Sequence, residues 1–447
     1  MSGIVVTKSS PVLVVPSSDS SPAAGGDTDT ITLSSFDKWV GPFPVTALFA
    51  YDRPIHKPAE TVKKALARAL AYYRPLAGRL VTGADGESCL SCIDKGVTFV
   101  AASASSAMEL EALTTSAALL KDLAVYYPGD LCRDADPLVL LQVTEFSCGG
   151  FVLGITANHI AADGAGIAQF LQAVGELARG VSPPSVVPVR RWDESLPGLP
   201  ASMLSTQRPT MDHKTQDDLV HLDVTVPWRL VRRIKAETGA TVDQTVMAVL
   251  WRCRTRAAMS PSSQGDSDPE SPAPLMFLCN MRAHAGARNG YYGNCFAVQM
   301  VPATKGAVAT SSIGDLVWLI RRAKEKAPDI LSGSSSTGSV DGDGDEAATG
   351  GGVAGEQPQP QVWWYNALAV VSWRNLGFEA VDLGGGAGPA RVMRLYGERN
   401  VVPSCVVCPP CTLGNKDDGG VSVSSMFLKP EHVDAFLGEL ARLATST

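Results

Sequence analysis

Residues Phe151 to Gly166 read FVLGITANHIAADGAG, an apolar run that stops at a histidine, with an aspartate four residues on and glycines close behind. Two β-rich runs meet around Gly149 and Gly150 in DPLVLLQVTEFSCGGFVLGITAN, so the segment reads as the second strand of a hairpin. From Gly164 to Arg179, the residues Ile167, Phe170, Leu171 and Val174 recur at helical spacing. Asp163 stands at the N-cap position of that helix, and Gly180 supplies its stop. His159 and Asp163 therefore flank a strand-to-helix turn, and the fold class is α/β.

The rest of the chain mixes the two signals. PAETVKKALARALAYY puts Val62, Leu66, Ala69, Leu70 and Tyr73 on one helical face, with Pro58 at the start where proline is tolerated. A length of 447 residues exceeds what one hydrophobic core usually serves, which predicts two domains. Gly180 to Asp218 is rich in Pro, Ser and polar residues without periodicity. We expect an N-terminal domain over residues 1–185, a crossover linker over 186–220 and a C-terminal domain over 221–447. In the second half, Pro227–Glu237, Asp243–Met259, Ile313–Lys326 and Lys429–Ala444 read as helices, and APLMFLCNMR, YYGNCFAVQMV and WWYNALAVVSW as strands. A tract over about 332–361, dominated by Ser, Gly, Asp and Gln, is expected to be a disordered surface loop.

Composition narrows the function. The net charge is -7 without a sustained Lys/Arg cluster, which argues against nucleic acid or an anionic membrane as partner. No apolar stretch approaches a membrane span, and Met1 to Pro16 does not read as a signal peptide. Ten cysteines in such a chain predict free thiols and a cytoplasmic location. Cys89 with Cys92, and Cys405, Cys408 and Cys411, have spacings found in metal sites but lack partners to close a four-ligand set; we read them as buried thiols and expect no metal.

His-x-x-x-Asp alone is weak, and HKTQD, His213 to Asp217, repeats the spacing inside a polar stretch. His159 differs in closing an apolar strand and opening a helix, with Gly164 and Gly166 expected to let a ligand approach the backbone. A neutral imidazole can take a proton from a hydroxyl or amine. The chain has no G-x-S-x-G elbow, so direct attack by a bound acceptor is the simpler mechanism.

HIAADG, GYYGNCF (Gly290 to Phe296) and SWRNLGFEAVDLGGG (Ser372 to Gly386) resemble the motifs of the plant BAHD acyltransferases, which carry HxxxDG and DFGWG. The resemblance runs from SSPVLVVPS through YYRPLAGRL nearly to the C-terminus. It implies two similar-sized chloramphenicol-acetyltransferase-like domains with a channel between them, a monomer, and transfer of an acyl group from acyl-CoA to a small-molecule alcohol or amine. No cofactor is implied beyond acyl-CoA as co-substrate. The resemblance makes His159 the general base and gives Trp373 an indole N–H that steadies the oxyanion. Asp163 is expected to point away from the channel and pair with Arg282, with Gly164, Asp382, Gly384 and Gly386 supporting the site and Ser372 assigned to substrate binding. Departures accompany it: DLGGG (Asp382 to Gly386) lacks the motif's tryptophan, Val371 stands where relatives often carry threonine, and Asn280 replaces an aspartate. A non-catalytic paralogue that binds CoA esters or a hydrophobic metabolite is therefore the alternative, with thioester hydrolysis a third reading. Hairpin and RNLGF residues look nearest to the branch that handles benzyl and taxane-type alcohols.

Overall fold

The computed structural model describes residues 4–18, 30–83, 86–105, 117–129, 131–205, 218–260, 268–332, 365–395, 402–410 and 419–445. The first half supplies strands β1 (Val6–Lys8), β2 (Val12–Val14), β3 (Thr30–Thr32), β4 (Pro44–Tyr51), β5 (Arg79–Thr82), β6 (Ser88–Ser91), β7 (Val97–Ala104), β8 (Val139–Glu145) and β9 (Phe151–Asn158). The second supplies β10 (Val220–Pro227), β11 (Leu275–Asn280), β12 (Phe296–Val301), β13 (Leu368–Ser372), β14 (Arg391–Leu395), β15 (Ser404–Val407) and β16 (Gly420–Leu428).

These strands form two large sheets and a small one. The first sheet runs β1-β7-β8-β9-β4-β14 with β2 also on β7; the second runs β10-β16-β15-β13-β11-β12; β3, β6 and β5 form the third. Strand β9 lies between β8 and β4, antiparallel to both. It is buried at every position, which explains an unbroken apolar run where a half-exposed strand would alternate. Helices α2 (Pro58–Tyr72) and α3 (Gly164–Ala178) pack together over the first core, after the short helix α1 (Ser35–Val40).

On the second sheet, α4 (Trp228–Thr238), α5 (Val242–Ala258), α6 (Ile313–Glu325) and α7 (Val433–Thr445) share another core. Trp251 of α5 is fully buried there, and its indole N–H donates to the Ala273 carbonyl at 2.9 Å. The four expected helices thus form within a few residues of their sequence bounds. The last begins later than expected, at Val433, because a 3-10 turn over Pro430–His432 precedes it.

Elements cross between the two halves. Strand β14, from the second half, pairs antiparallel with β4 and closes the edge of the first sheet, with Val392 in the first core. Phe36 of α1, from the first half, is buried in the second core. The stretch read as a linker is laid against the body: Val189 bridges Tyr291, Arg190 and Leu199 are buried, and Ala201–Ser205 is helical. Its residues 206–217 lie outside the described set, as does the expected loop from residue 333 to 361. YYGNCFAVQMV is a strand only from Phe296 onward, because the Tyr291 and Gly293 carbonyls before it are turned toward Arg282.

Candidate active site

His159 follows the last residue of β9. Its backbone N–H donates to the Phe43 carbonyl at 2.9 Å, which ties the turn to the entry of β4. Its ring lies 4.9 Å from the ring of Phe43 and 5.7 Å from that of Phe296, and Trp39 packs edge-on against Phe296 at 5.7 Å. All four residues are partly exposed, and Phe43 and Phe296 flank the imidazole.

The imidazole Nδ1 faces Asn294 Oδ1 at 3.0 Å. Asn294 Nδ2 is directed at Asp37 Oδ1 (2.8 Å), the His159 carbonyl (2.8 Å) and the Ile160 carbonyl (3.3 Å). All three are acceptors, so the amide nitrogen belongs on that side and its oxygen on the ring side. An amide oxygen only accepts; Nδ1 therefore carries the hydrogen, and Nε2 holds the free lone pair. Burial lowers the His159 pKa below its ordinary 6.5, and the Asp163 charge and the Asn294 hydrogen bond offset this only in part. The ring is neutral near pH 7, with its free lone pair on Nε2.

Behind the turn sits a buried ion pair. Asp37 is fully buried and caps α1, accepting from the backbone N–H of Ser34 at 3.0 Å and its hydroxyl at 2.9 Å. Its Oδ2 lies 3.1 Å from Arg190 Nη2. Arg190 also donates to the Ala161 carbonyl at 2.9 Å and the Ile160 carbonyl at 3.2 Å, so it clamps the residues that follow His159. Burial alone would lower the Arg190 pKa, but the charge of Asp37 carries it above the usual guanidinium value.

Asp163 caps α3 by accepting from the Gly166 N–H at 2.9 Å. Both its oxygens accept from Arg282 at 2.8 Å, and Oδ2 also accepts from the Cys295 N–H at 3.1 Å. Arg282 donates in turn to the Tyr291 carbonyl (3.1 Å) and the Gly293 carbonyl (2.8 Å), which fixes the loop that presents Asn294. Gly166 was expected to admit a ligand and instead admits protein: a Cβ there would stand 1.9 Å from the Tyr292 carbonyl oxygen. At Gly164 a Cβ would stand 2.7 Å from Leu376 Cδ1. Burial pushes the neighbouring Cys295 thiol up to about 12, so it stays protonated and is no nucleophile near neutral pH.

Trp373 lies at the end of β13, 6% exposed, its ring edge-on to Phe378 at 5.4 Å within the first core. The Ser372 hydroxyl, assigned to substrate from the sequence, donates to Asp243 Oδ1 at 3.1 Å and accepts from the Arg374 N–H at 3.3 Å. That pairing anchors the Trp373 turn to the start of α5. Asp382 caps its own loop, accepting from the N–H groups of Gly384 (2.9 Å) and Gly386 (3.1 Å), while Arg179 holds the Asp382 carboxylate and carbonyl. Asp382 therefore docks at the far end of α3, about 20 Å of helix from Asp163. No group of three or more His, Cys, Asp or Glu among the described residues is placed to hold a metal ion.

The sequence reading did not pick out Asn294, Asp37, Arg190 or Phe43. Asn294 at least lies inside the GYYGNCF motif.

A sequence model described as the Transferase family matches residues 4–441. The chain belongs to this family, the BAHD acyltransferases. It is an enzyme, an acyl-CoA-dependent acyltransferase. Among curated BAHD relatives, Acyl transferase 15 of Oryza sativa subsp. japonica is 42% identical over 99% of this chain and 100% of its own length. Benzyl alcohol O-benzoyltransferase of Petunia hybrida is 31% identical over 68% of this chain and 69% of its own. Among solved structures, vinorine synthase superposes with a TM-score of 0.69 at 18% identity, covering 98% of each chain. The two sheet-and-helix units are the chloramphenicol-acetyltransferase-like domains of the BAHD fold.

Proposed function

We propose that this BAHD enzyme moves an acyl group from acyl-CoA to the hydroxyl of a small specialised metabolite, with His159 as general base and no covalent intermediate. The observation that carries the reading is the hydrogen-bond polarity at Asn294, which leaves Nε2 of a neutral, partly exposed imidazole as the free base. The acceptor O–H proton passes to Nε2 as its oxygen attacks the thioester carbon. The tetrahedral oxyanion is steadied by the indole N–H of Trp373. Collapse breaks the C–S bond, and the departing thiolate takes the proton from Nε2. Such base catalysis contributes about 10²- to 10⁴-fold, and alignment of the two substrates supplies much of the rest.

A hydroxyl acceptor is supported by the likeness to benzyl alcohol O-benzoyltransferase. The DLGGG loop does not favour a non-catalytic paralogue, since Asp382 and Arg179 hold it in place. Cys132, Cys253, Cys279, Cys295 and Cys405 are free thiols, which supports a reducing, cytoplasmic setting, and we take the working form to be a monomer with domains divided near residues 186–220. The test is to incubate the purified protein with acyl-CoAs crossed with pooled alcohols and amines, following thiol release and acylated products by mass spectrometry. Acylated alcohols are expected; thiol release without acylated product would point to hydrolysis and contradict the proposal.

A further inference from the structure

The second sheet has two unequal faces. Leu275, Phe277 and Cys279 of β11, with Ala297 and Val301 of β12, point into the second core. The opposite face is covered where Val406 and Val371 meet the first core, and no described residue of the last two strands joins that core. There Met276 pairs with Met300, Leu278 with Val298, and Asn280 with Phe296. Leu278 is 36% and Met300 41% exposed, and Met276, Val298 and Phe296 are partly exposed. Asn280 is the only polar residue among them, and its Oδ1 accepts from the Arg282 N–H at 3.0 Å. Single exposed apolar residues need no explanation, but a contiguous apolar face beside a reactive group does.

This face begins at the base. Phe296 lies ring to ring with His159, and β12 then carries Val298 and Met300 outward on the same side for about 13 Å. We infer that the open face of β11 and β12 is the wall against which the acceptor lies, and that the acceptor is an alcohol with an extended, aryl-bearing apolar body. The inference rests on the acyl-transfer reading above. The acceptor, rather than the acyl group, is assigned here because a general base works within about 2.6–3.2 Å of the hydroxyl it deprotonates. The thioester carbon sits a further ~3–3.5 Å away. The substrate portion continuous with the His159 ring is thus the alcohol. Phe296 offers an aromatic face to the first ring, and Leu278, Val298 and Met300 set how much further an apolar body can extend. None of the described residues named on this wall carries a charge.

The test compares wild type with Met300→Glu and Leu278→Glu, both at exposed positions, after melting curves confirm that the variants fold. With cinnamyl alcohol as acceptor, its KM is expected to rise about tenfold in each variant, while the KM for the acyl-CoA shifts less than about twofold. A rise in the acyl-CoA KM instead would hand the wall to the donor and overturn the assignment, and no change in either would make the face plain surface. Calorimetric titration of cinnamyl alcohol into wild type and Met300→Glu, without acyl-CoA, reads the wall independently of turnover. Binding about tenfold weaker in the variant supports the wall even if the proposed reaction fails; equal binding, or none to wild type, overturns it.

Discussion

Arg282 grips Asp163 through two parallel hydrogen bonds, each 2.8 Å long, across 119 residues of chain. The Gly166 and Cys295 N–H groups also donate to this carboxylate, and His159 is not among its hydrogen-bond partners in the described residues. Spacing of i to i+4 would have allowed a His–Asp relay, but Asp163 instead fastens the start of α3 to the loop that carries Asn294. Removing one partner strands a largely buried charge. Arg282→Ala and Asp163→Ala are each expected to lower folding stability by about 3–5 kcal/mol. Chemical denaturation checks this, and a shift within the error of wild type would show that the pair is only decorative.

Gly166 and Gly164 separate two kinds of close contact. At Gly166 the obstacle is a backbone carbonyl oxygen 1.9 Å from the added Cβ, which can move only if the Tyr292 loop moves. At Gly164 it is the tip of the Leu376 side chain at 2.7 Å, which can rotate away. Gly166→Ala should lower stability by about 3 kcal/mol or more, and Gly164→Ala by about 1 kcal/mol or less. Melting curves of the two variants test the order, and equal losses would contradict it.

The pH response follows from the direction of the His159 shift. Because burial holds its folded pKa below 6.5, the base form persists under that value, and the acid limb of kcat/KM should have its midpoint below pH 6.5. The unfolded chain takes up the proton first. Stability associated with the neutral ring is therefore complete above pH 6.5 and lost as pH falls through the window between 6.5 and the lower folded value. His432, lowered chiefly by burial as well, adds in the same direction. A pH–rate profile with its acid midpoint above 6.5, or stability that rises on acidification through this window, would contradict the assignment.

Gly385 stands where the family motif has tryptophan. Its backbone needs no positive φ, unlike Gly384 at +119° and Gly386 at +75°, and a Cβ would meet Arg53 Cβ at 3.2 Å and Ile55 Cγ2 at 3.7 Å. Gly385→Trp should stabilise by about 0.4–1 kcal/mol, through the less flexible unfolded chain and cover over Ile55. Gly384→Ala should destabilise instead. A lowered melting temperature for Gly385→Trp would show that Arg53 cannot give way.

Much of the scaffold was legible because its signals are local. Ile167, Phe170, Leu171 and Val174 mark α3 by period, and Asp163 and Gly180 mark its ends. The closing of the first sheet by β14 was not legible, because five residues with no distinctive pattern carry no record of which edge they will join. The site divides in the same way. His159 stands out by its place in a strand-to-helix turn, whereas the Asp163–Arg282 pair was available only through family resemblance. Asn294 reaches the histidine, Asp37 holds Asn294 and Arg190 holds the residues after the histidine, all from separate segments, and no spacing in sequence encodes that meeting. The bond from the Ser372 hydroxyl to Asp243 was equally invisible, because the two lie 129 residues apart.

In the proposed reaction His159 supplies the base for acyl transfer. Its most direct test is the rate of acylated-alcohol formation by His159→Ala beside wild type, with melting temperature and acyl-CoA binding measured on the same samples. The expected variant folds and binds acyl-CoA but transfers about 10²- to 10⁴-fold more slowly. A folded variant that transfers at the wild-type rate would contradict it.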